Sequence, residues 1–188
     1  MTGPQLATVR QGAQCLVEGG VIAYPTEAVY GLGCDPDNES AVRHVLRLKT
    51  RPESAGLILI ADRLERFAAY IGAVSAEQKQ QALAAWPGPV TWLFPRSATV
   101  PDWLAGDHST IALRITAHPV CRALCEAFGG PIVSTSANPG TAKPARSAEE
   151  VDAYFGAELC AIVEGRLGEQ SHPSEIRDLA TGRVIRSA

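Results

Sequence analysis

The stretch "AYPTEAVYGLGCD", Ala23 to Asp35, decides how the chain is read. The apolar run Val21-Ile22-Ala23-Tyr24 has the composition of a short buried strand and ends in Pro25. Directly beyond it stand the hydroxyl of Thr26 and the carboxylate of Glu27, then Gly31 and Gly33. Glycines let backbone N–H groups approach a ligand without a Cβ in the way, and a threonine hydroxyl both donates and accepts. These residues fit either a tight turn between strand and helix or a loop wrapped on a small ligand. The spacing is neither the P-loop G-x-x-x-x-G-K-[ST] nor the dinucleotide G-x-G-x-x-G, and G-x-S-x-G is absent too. Glu27 and Asp35 are available as catalytic carboxylates, but nothing in their spacing requires it.

Outward from that stretch, helical and strand periods interleave without strict alternation. Leu6, Val9, Ala13, Leu16 and Val17 recur at helical spacing, closed by Gly19-Gly20. A second helix follows Ser40, and Leu57 to Ala61 reads as a strand buried on both faces. Leu64, Phe67, Ala68 and Ile71 predict a third helix, and Ser75 with Gln78 a capping box for a fourth. Strands are expected at 90–94, 110–115, 131–135 and 160–164, with helices at 118–128 and 148–155. A hairpin joins 175–179 to 184–186 across Thr181-Gly182. The expected fold class is α/β, with a twisted mixed parallel and antiparallel sheet flanked by helices. Residues 1–188 show no repeat or linker and read as one domain.

Three more strand or helix ends concentrate polar side chains. In "RLKTRPESAGLILI", Lys49 and Arg51 straddle a helix end that Pro52 prevents from continuing. Cations there stabilise the helix dipole by about 0.3–1 kcal/mol, but an ammonium beside a guanidinium fork is also a good pair for a polyphosphate. Arg114 interrupts the apolar run "STIALRI", either reaching solvent from an edge strand or aimed at a carboxylate or phosphate. In "PIVSTSANPG", Ser134, Thr135, Ser136 and Asn138 crowd the end of a strand, as local caps or as ligand contacts. Together these four places point to one polar cleft.

Bulk properties narrow the classes. The chain has 188 residues, 46% hydrophobic and 20% charged, which is an ordinary globular composition. A net charge of −3 argues against a wholesale nucleic-acid coat and leaves room for a local basic cleft. The N-terminus lacks a basic region followed by an apolar core, and no apolar run approaches a bilayer span, so a cytoplasmic protein without membrane association is expected. The five cysteines include no C-x-x-C pair and are read as buried reduced thiols. No histidine or cysteine spacing predicts a protein metal site.

The motifs "AYPTEAVYGLGCDPD", "LKTRPESAGLILI", "WPGPVTWLFP", "LRITAHP", "PIVSTSANPG" and "HPSEIRDLATG" occur in this order over about residues 5–186. In them the chain closely resembles the TsaC/YrdC family, the single-domain bacterial L-threonylcarbamoyladenylate synthases. That resemblance implies a mixed sheet with a deep basic cleft. It implies synthesis of threonylcarbamoyl-AMP and pyrophosphate from L-threonine, bicarbonate or CO2, and ATP. A separate threonylcarbamoyl transferase complex would then modify the tRNA adenosine next to the anticodon. By the same resemblance, Lys49 and Arg51 carry the catalytic charge, and ATP is bound by Lys49, Arg51, Ser134, Ser136, Asn138 and Arg186. Threonine is held by Thr26, Arg114 and Ser174, and Mg²⁺ arrives with ATP rather than in a protein cage. The sequence departs from the family at Glu53-Ser54-Ala55, where a basic residue is common, and at Pro139-Gly140-Thr141 after Asn138. Loops 139–146 and 165–173 are long enough to act as lids. Family members also bind tRNA or other RNA, so the alternative is a non-catalytic RNA-binding or ribosome-maturation module using the same cleft.

Overall fold

The computed structural model describes residues 6–187. The chain begins with β1 (Leu6–Ala7), α1 (Val9–Val17), β2 (Ile22–Pro25), β3 (Tyr30–Gly33), α2 (Glu39–Leu48) and β4 (Ile58–Ala61). It continues through α3 (Ala76–Ala84), β5 (Val90–Pro95), α4 (Asp102–Ala105), β6 (Thr110–Ile115), α5 (Pro119–Phe128) and β7 (Ile132–Ser136). The last elements are α6 (Ala148–Phe155), β8 (Ala161–Val163), β9 (Glu175–Asp178) and β10 (Val184–Arg186). The strands form one sheet in the order β1-β8-β2-β3-β7-β4-β6-β5-β9-β10. Parallel pairs such as β4 with β6 and β5 with β9 occur together with antiparallel ones such as β2 with β3 and β4 with β7. The mixed sheet expected from the sequence is therefore observed.

Burial on two faces explains the continuous apolar strands. On β4, Leu59 and Ala61 join a core with Val42, Val45 and Leu46 of α2, while Ile60 between them packs with Leu124 and Cys125 of α5. On β2, Ile22 and Tyr24 face α1 and α5, and Ala23 faces Val151 and Phe155 of α6. A strand covered on both sides has no polar face to alternate with. Local signals hold at several helix ends. Ser75 and Gln78 form the expected capping box, and the Ser147 hydroxyl accepts the Glu150 N–H. Gly129 closes α5 in the left-handed conformation, with φ 90°.

Four local expectations fail. Gly31 and Gly33 lie not in an open loop but in β3, opposite Tyr24 and Ile22. Glycine is depleted in strands, so the pattern reads as a turn; here close packing demands it, since a Cβ on Gly33 would sit 2.5 Å from the Val133 carbonyl oxygen. Leu6 belongs to β1, and α1 begins later behind a capping box of Thr8 and Gln11. The helix expected around Leu64–Ile71 is only a 3-10 turn, Leu64–Phe67. The Tyr70 hydroxyl is drawn to Asp37 and Ile71 bridges to Arg96, so tertiary partners outweigh the helical period. Finally, Cys15 and Cys160 are joined in a disulfide, whereas Cys34, Cys121 and Cys125 are buried free thiols, as read from the sequence.

Candidate active site

Strand ends and their loops enclose a cavity of about 680 Å³, and every one of the nine residues that the sequence reading assigned to ligands lines it. Among the described residues its wall carries four cationic side chains, Lys49, Arg51, Arg114 and Arg186, against one carboxylate, Glu27.

The first group of cations comes from the end of α2. The Arg51 N–H donates to the Leu46 carbonyl and the Thr50 N–H to the Arg47 carbonyl, the two bonds of a Schellman motif. The left-handed position of that motif, usually glycine, is Thr50, with φ 50°. This turn throws Lys49 and Arg51 away from the helix axis. Lys49 does not cap helix carbonyls. Its ammonium crosses to β7 and donates to the carbonyl oxygens of Ser136 (2.6 Å) and Asn138 (3.1 Å) and to Asn138 Oδ1 (3.1 Å). The Ser136 hydroxyl donates to the same Oδ1 at 2.6 Å, and Asn138 Nδ2 donates to the Gly140 carbonyl. Arg51 folds back onto the carbonyls of Gly56 and Ala55. Burial, and then the neighbouring Arg51, lowers the Lys49 pKa to about 8. Burial also lowers Arg51, and burial followed by Arg51 lowers Arg186. Among the described residues none of these three cations is paired with a carboxylate. A concentration of unpaired positive charge is a site for an anion.

Another part of the wall is built differently. Thr26 opens the short β2–β3 loop, and its hydroxyl donates to the Val29 carbonyl at 2.6 Å, which leaves the oxygen free to accept. Arg114, on β6, is buried, and its Nη1 lies 2.9 Å from Glu27 Oε1. The Thr116 hydroxyl donates to that same oxygen at 2.7 Å. Burial alone would raise the Glu27 pKa; Arg114 and Thr116 outweigh it and hold the carboxyl below its ordinary value. Ser174 shares a hydrogen bond with the buried Thr91 hydroxyl, and its carbonyl accepts from Arg186. Ser134, on β7 opposite Ile58, is buried at the cavity wall.

Sequence reasoning missed Glu27 as the partner of Arg114, and missed Thr116 altogether. Glu27 stood in plain view beside Thr26, but its partner lies four strands away across the sheet. The two loops expected as lids are both tied to the wall. Loop 139–146 is held by Gly140 N–H to the Lys49 carbonyl and Tyr30 N–H to the Ala145 carbonyl. Loop 165–173 is held by Gly168 N–H to the Thr26 carbonyl and Gln170 N–H to the Glu27 carbonyl. Among the described residues, no cluster of three or more His, Cys, Asp or Glu side chains is placed to hold a metal ion.

Comparison with known proteins gives a consistent placement. A threonylcarbamoyl-AMP synthase of Halorhodospira halophila is 53% identical over 178 residues, 95% of this chain and 93% of its own. The structure of P. abyssi Sua5 complexed with L-threonine superposes with a TM-score of 0.86 at 31% identity over 94% of this chain; this chain spans only about half, 52%, of that protein. E. coli YciO superposes with a TM-score of 0.79 at 28% identity, covering 95% of this chain and 88% of that one. The Sua5/YciO/YrdC family model, described as telomere recombination, matches residues 14–188, and the chain belongs to that family.

Proposed function

We propose that this chain is a threonylcarbamoyl-AMP synthase that joins L-threonine, bicarbonate or CO2, and ATP, releasing pyrophosphate. The observation that carries the reading is the division of one cavity wall. Lys49, Arg51 and Arg186, which have no carboxylate partner among the described residues, stand in one part of it, and a buried, oriented Arg114 beside Thr26 in another. The 53% identity to a protein of that name supports it.

In this reading Lys49, Arg51 and Arg186, with Ser134, Ser136 and Asn138, receive the nucleotide and its phosphates. Arg51 and Arg186 contact them directly. The Lys49 donors are already engaged by Ser136 and Asn138, so Lys49 acts through its charge and by holding these two residues in place. Thr26, Arg114 and Ser174 hold threonine, with Arg114 on the carboxylate. The threonine amine and CO2 give a carbamate with loss of one proton. A carbamate oxygen then attacks the α-phosphorus, and the bond to the bridging oxygen breaks to release pyrophosphate. Such a reaction is served by alignment and charge neutralisation more than by a strong base. Glu27, the one carboxylate on the wall among the described residues, is engaged by Arg114 and Thr116, and Mg²⁺ would be carried in by the phosphates of ATP.

The product would pass to a threonylcarbamoyl transferase complex acting on tRNA, in the cytoplasm. Among the described residues no helix is long and apolar enough to cross a membrane. Since all of these groups line one cavity, a single catalytic domain suffices. The test is pyrophosphate release from ATP, with and without L-threonine and bicarbonate, in the absence of tRNA. Release that needs both is the expected result. No release, with RNA binding that weakens steeply as salt rises, would overturn the reading in favour of an RNA-binding module.

A further inference from the structure

We propose that Glu27 is a positioning residue that aims Arg114 at the amino acid, with Thr116 as its second anchor. The proposal rests on the synthase reading above.

Glu27 is fixed from both of its ends. Its carbonyl accepts the Gln170 N–H, and the Thr26 carbonyl next to it accepts the Gly168 N–H. The strap formed by these residues lies so close that a Cβ on Gly168 would sit 2.8 Å from Glu27 Cα. At the other end, Glu27 Oε1 takes both Arg114 Nη1 at 2.9 Å and the Thr116 hydroxyl at 2.7 Å. The Thr116 oxygen in turn accepts the His118 N–H at 3.1 Å, at the start of α5. Thus β2, β6, α5 and the strap all bear on one carboxylate.

The arrangement is a poor way to stabilise a fold. Buried ion pairs repay their desolvation only with good geometry and further hydrogen bonds. Here Glu27 Oε2 and Arg114 Nε are buried without a hydrogen-bond partner among the described residues. The location explains the pair better than stability does, since both residues line the cavity. A guanidinium recognises a carboxylate as a planar fork, so its orientation matters as much as its charge. With one contact of Nη1 on Glu27 and Nε buried, the Nη2 donors and the second N–H of Nη1 are left for a ligand. A pure charge role for Glu27 would have the opposite consequence: removing a carboxylate beside Arg114 would strengthen the attraction for another.

The experiment is steady-state pyrophosphate release by the full chain, with L-threonine and ATP varied separately, for wild type, Glu27→Gln, Thr116→Val and Thr116→Ser. Wild type must first show release dependent on threonine; if it does not, the synthase reading fails and the failure is not that of Glu27. Given that dependence, Glu27→Gln is expected to raise the threonine KM about tenfold, on the scale of one lost charge-assisted hydrogen bond. Thr116→Val is expected to raise it by a smaller factor, and Thr116→Ser, which keeps the hydroxyl, to restore it. The ATP KM should stay within about twofold throughout, as an interaction confined to one substrate requires. An unchanged or lowered threonine KM in Glu27→Gln overturns the proposal, as does a parallel rise for both substrates. If Glu27→Gln does not fold, the Thr116 pair decides: equal threonine KM values in Thr116→Val and Thr116→Ser overturn it.

Discussion

The Lys49 ammonium lies 2.6 Å from the Ser136 carbonyl oxygen, and this contact ties the end of α2 to the end of β7. A lysine that only neutralised a helix dipole would lie along its own helix. This one bridges two motifs far apart in sequence, and its charge stays within the wall of the cavity.

Lys49→Ala should therefore lower turnover by roughly 10²–10³, the scale of losing one charge-stabilising group at a reacting centre. The carbonyls of Ser136 and Asn138 would lose their donor as well. Lys49→Arg should recover little, because a planar fork cannot meet three acceptors that converge on one ammonium. Steady-state turnover, with circular dichroism to confirm folding, checks both; near-normal turnover in Lys49→Ala would remove the residue from the machinery.

Burial, and then the charge of Arg51, lowers the Lys49 pKa from 10.5 to about 8. The folded protein thus binds this proton less tightly than the unfolded chain. Below about pH 8 the charged side chain costs stability, and the cost is relieved as pH rises from about 8 to 10.5, so its contribution to stability rises through that window. Activity should move the other way, because a neutral Lys49 no longer attracts phosphate. The kcat/KM for ATP should fall above about pH 8, and Lys49→Met should lack that limb of the pH profile.

Arg186→Ala should raise the ATP KM by about tenfold or more, since hydrogen bonds to charged groups are worth about 1.5–3 kcal/mol. The threonine KM should change less. The side chain also donates to the Ser174 carbonyl, so varying both substrates separates loss of the cation from disturbance of that loop.

Thr50 occupies the left-handed region with φ 50°, and it is the one residue besides glycine to do so among the described residues. A left-handed conformation costs an L-residue about 1–2 kcal/mol, which glycine avoids at some entropic cost of its own. Thr50→Gly should therefore raise stability by roughly 0.5–1 kcal/mol, an upward shift of about 1–4 °C in Tm for a chain of this size. Differential scanning calorimetry reads it directly; a lowered Tm would mean that the threonine side chain contributes more than its backbone costs.

Gly33→Ala should do the reverse. The new Cβ would meet the Val133 carbonyl oxygen at 2.5 Å and the Tyr24 ring at 2.7 Å, and neither is a flexible side-chain end. Overpacking of this kind costs about 1–3 kcal/mol, so a lower denaturation midpoint in urea with an unchanged slope is expected.

Much of this architecture is legible in the sequence because its causes are local. A capping box spans three residues, as at Ser75 and Gln78, and it forms as read. Strands covered on both faces announce themselves as unbroken apolar runs, as in β4. The polar residues at strand ends are visible because they break those runs. The resemblance to a known family added Ser174 and Arg186, and both line the same cavity.

What the sequence by itself could not determine are the relationships set by strand order. Glycines 31 and 33 read as loop until β3 is seen pressed between β2 and β7. The disulfide of Cys15 with Cys160 depends on the start of β8 coming to lie beside α1. Glu27 meets Arg114 only because β2 and β6 end at the same cavity, and Lys49 reaches Ser136 only because α2 runs out beside β7. Propensities and caps act over three or four residues. An ion pair or a buried hydrogen bond depends instead on distance in space, which the packing of the whole sheet decides.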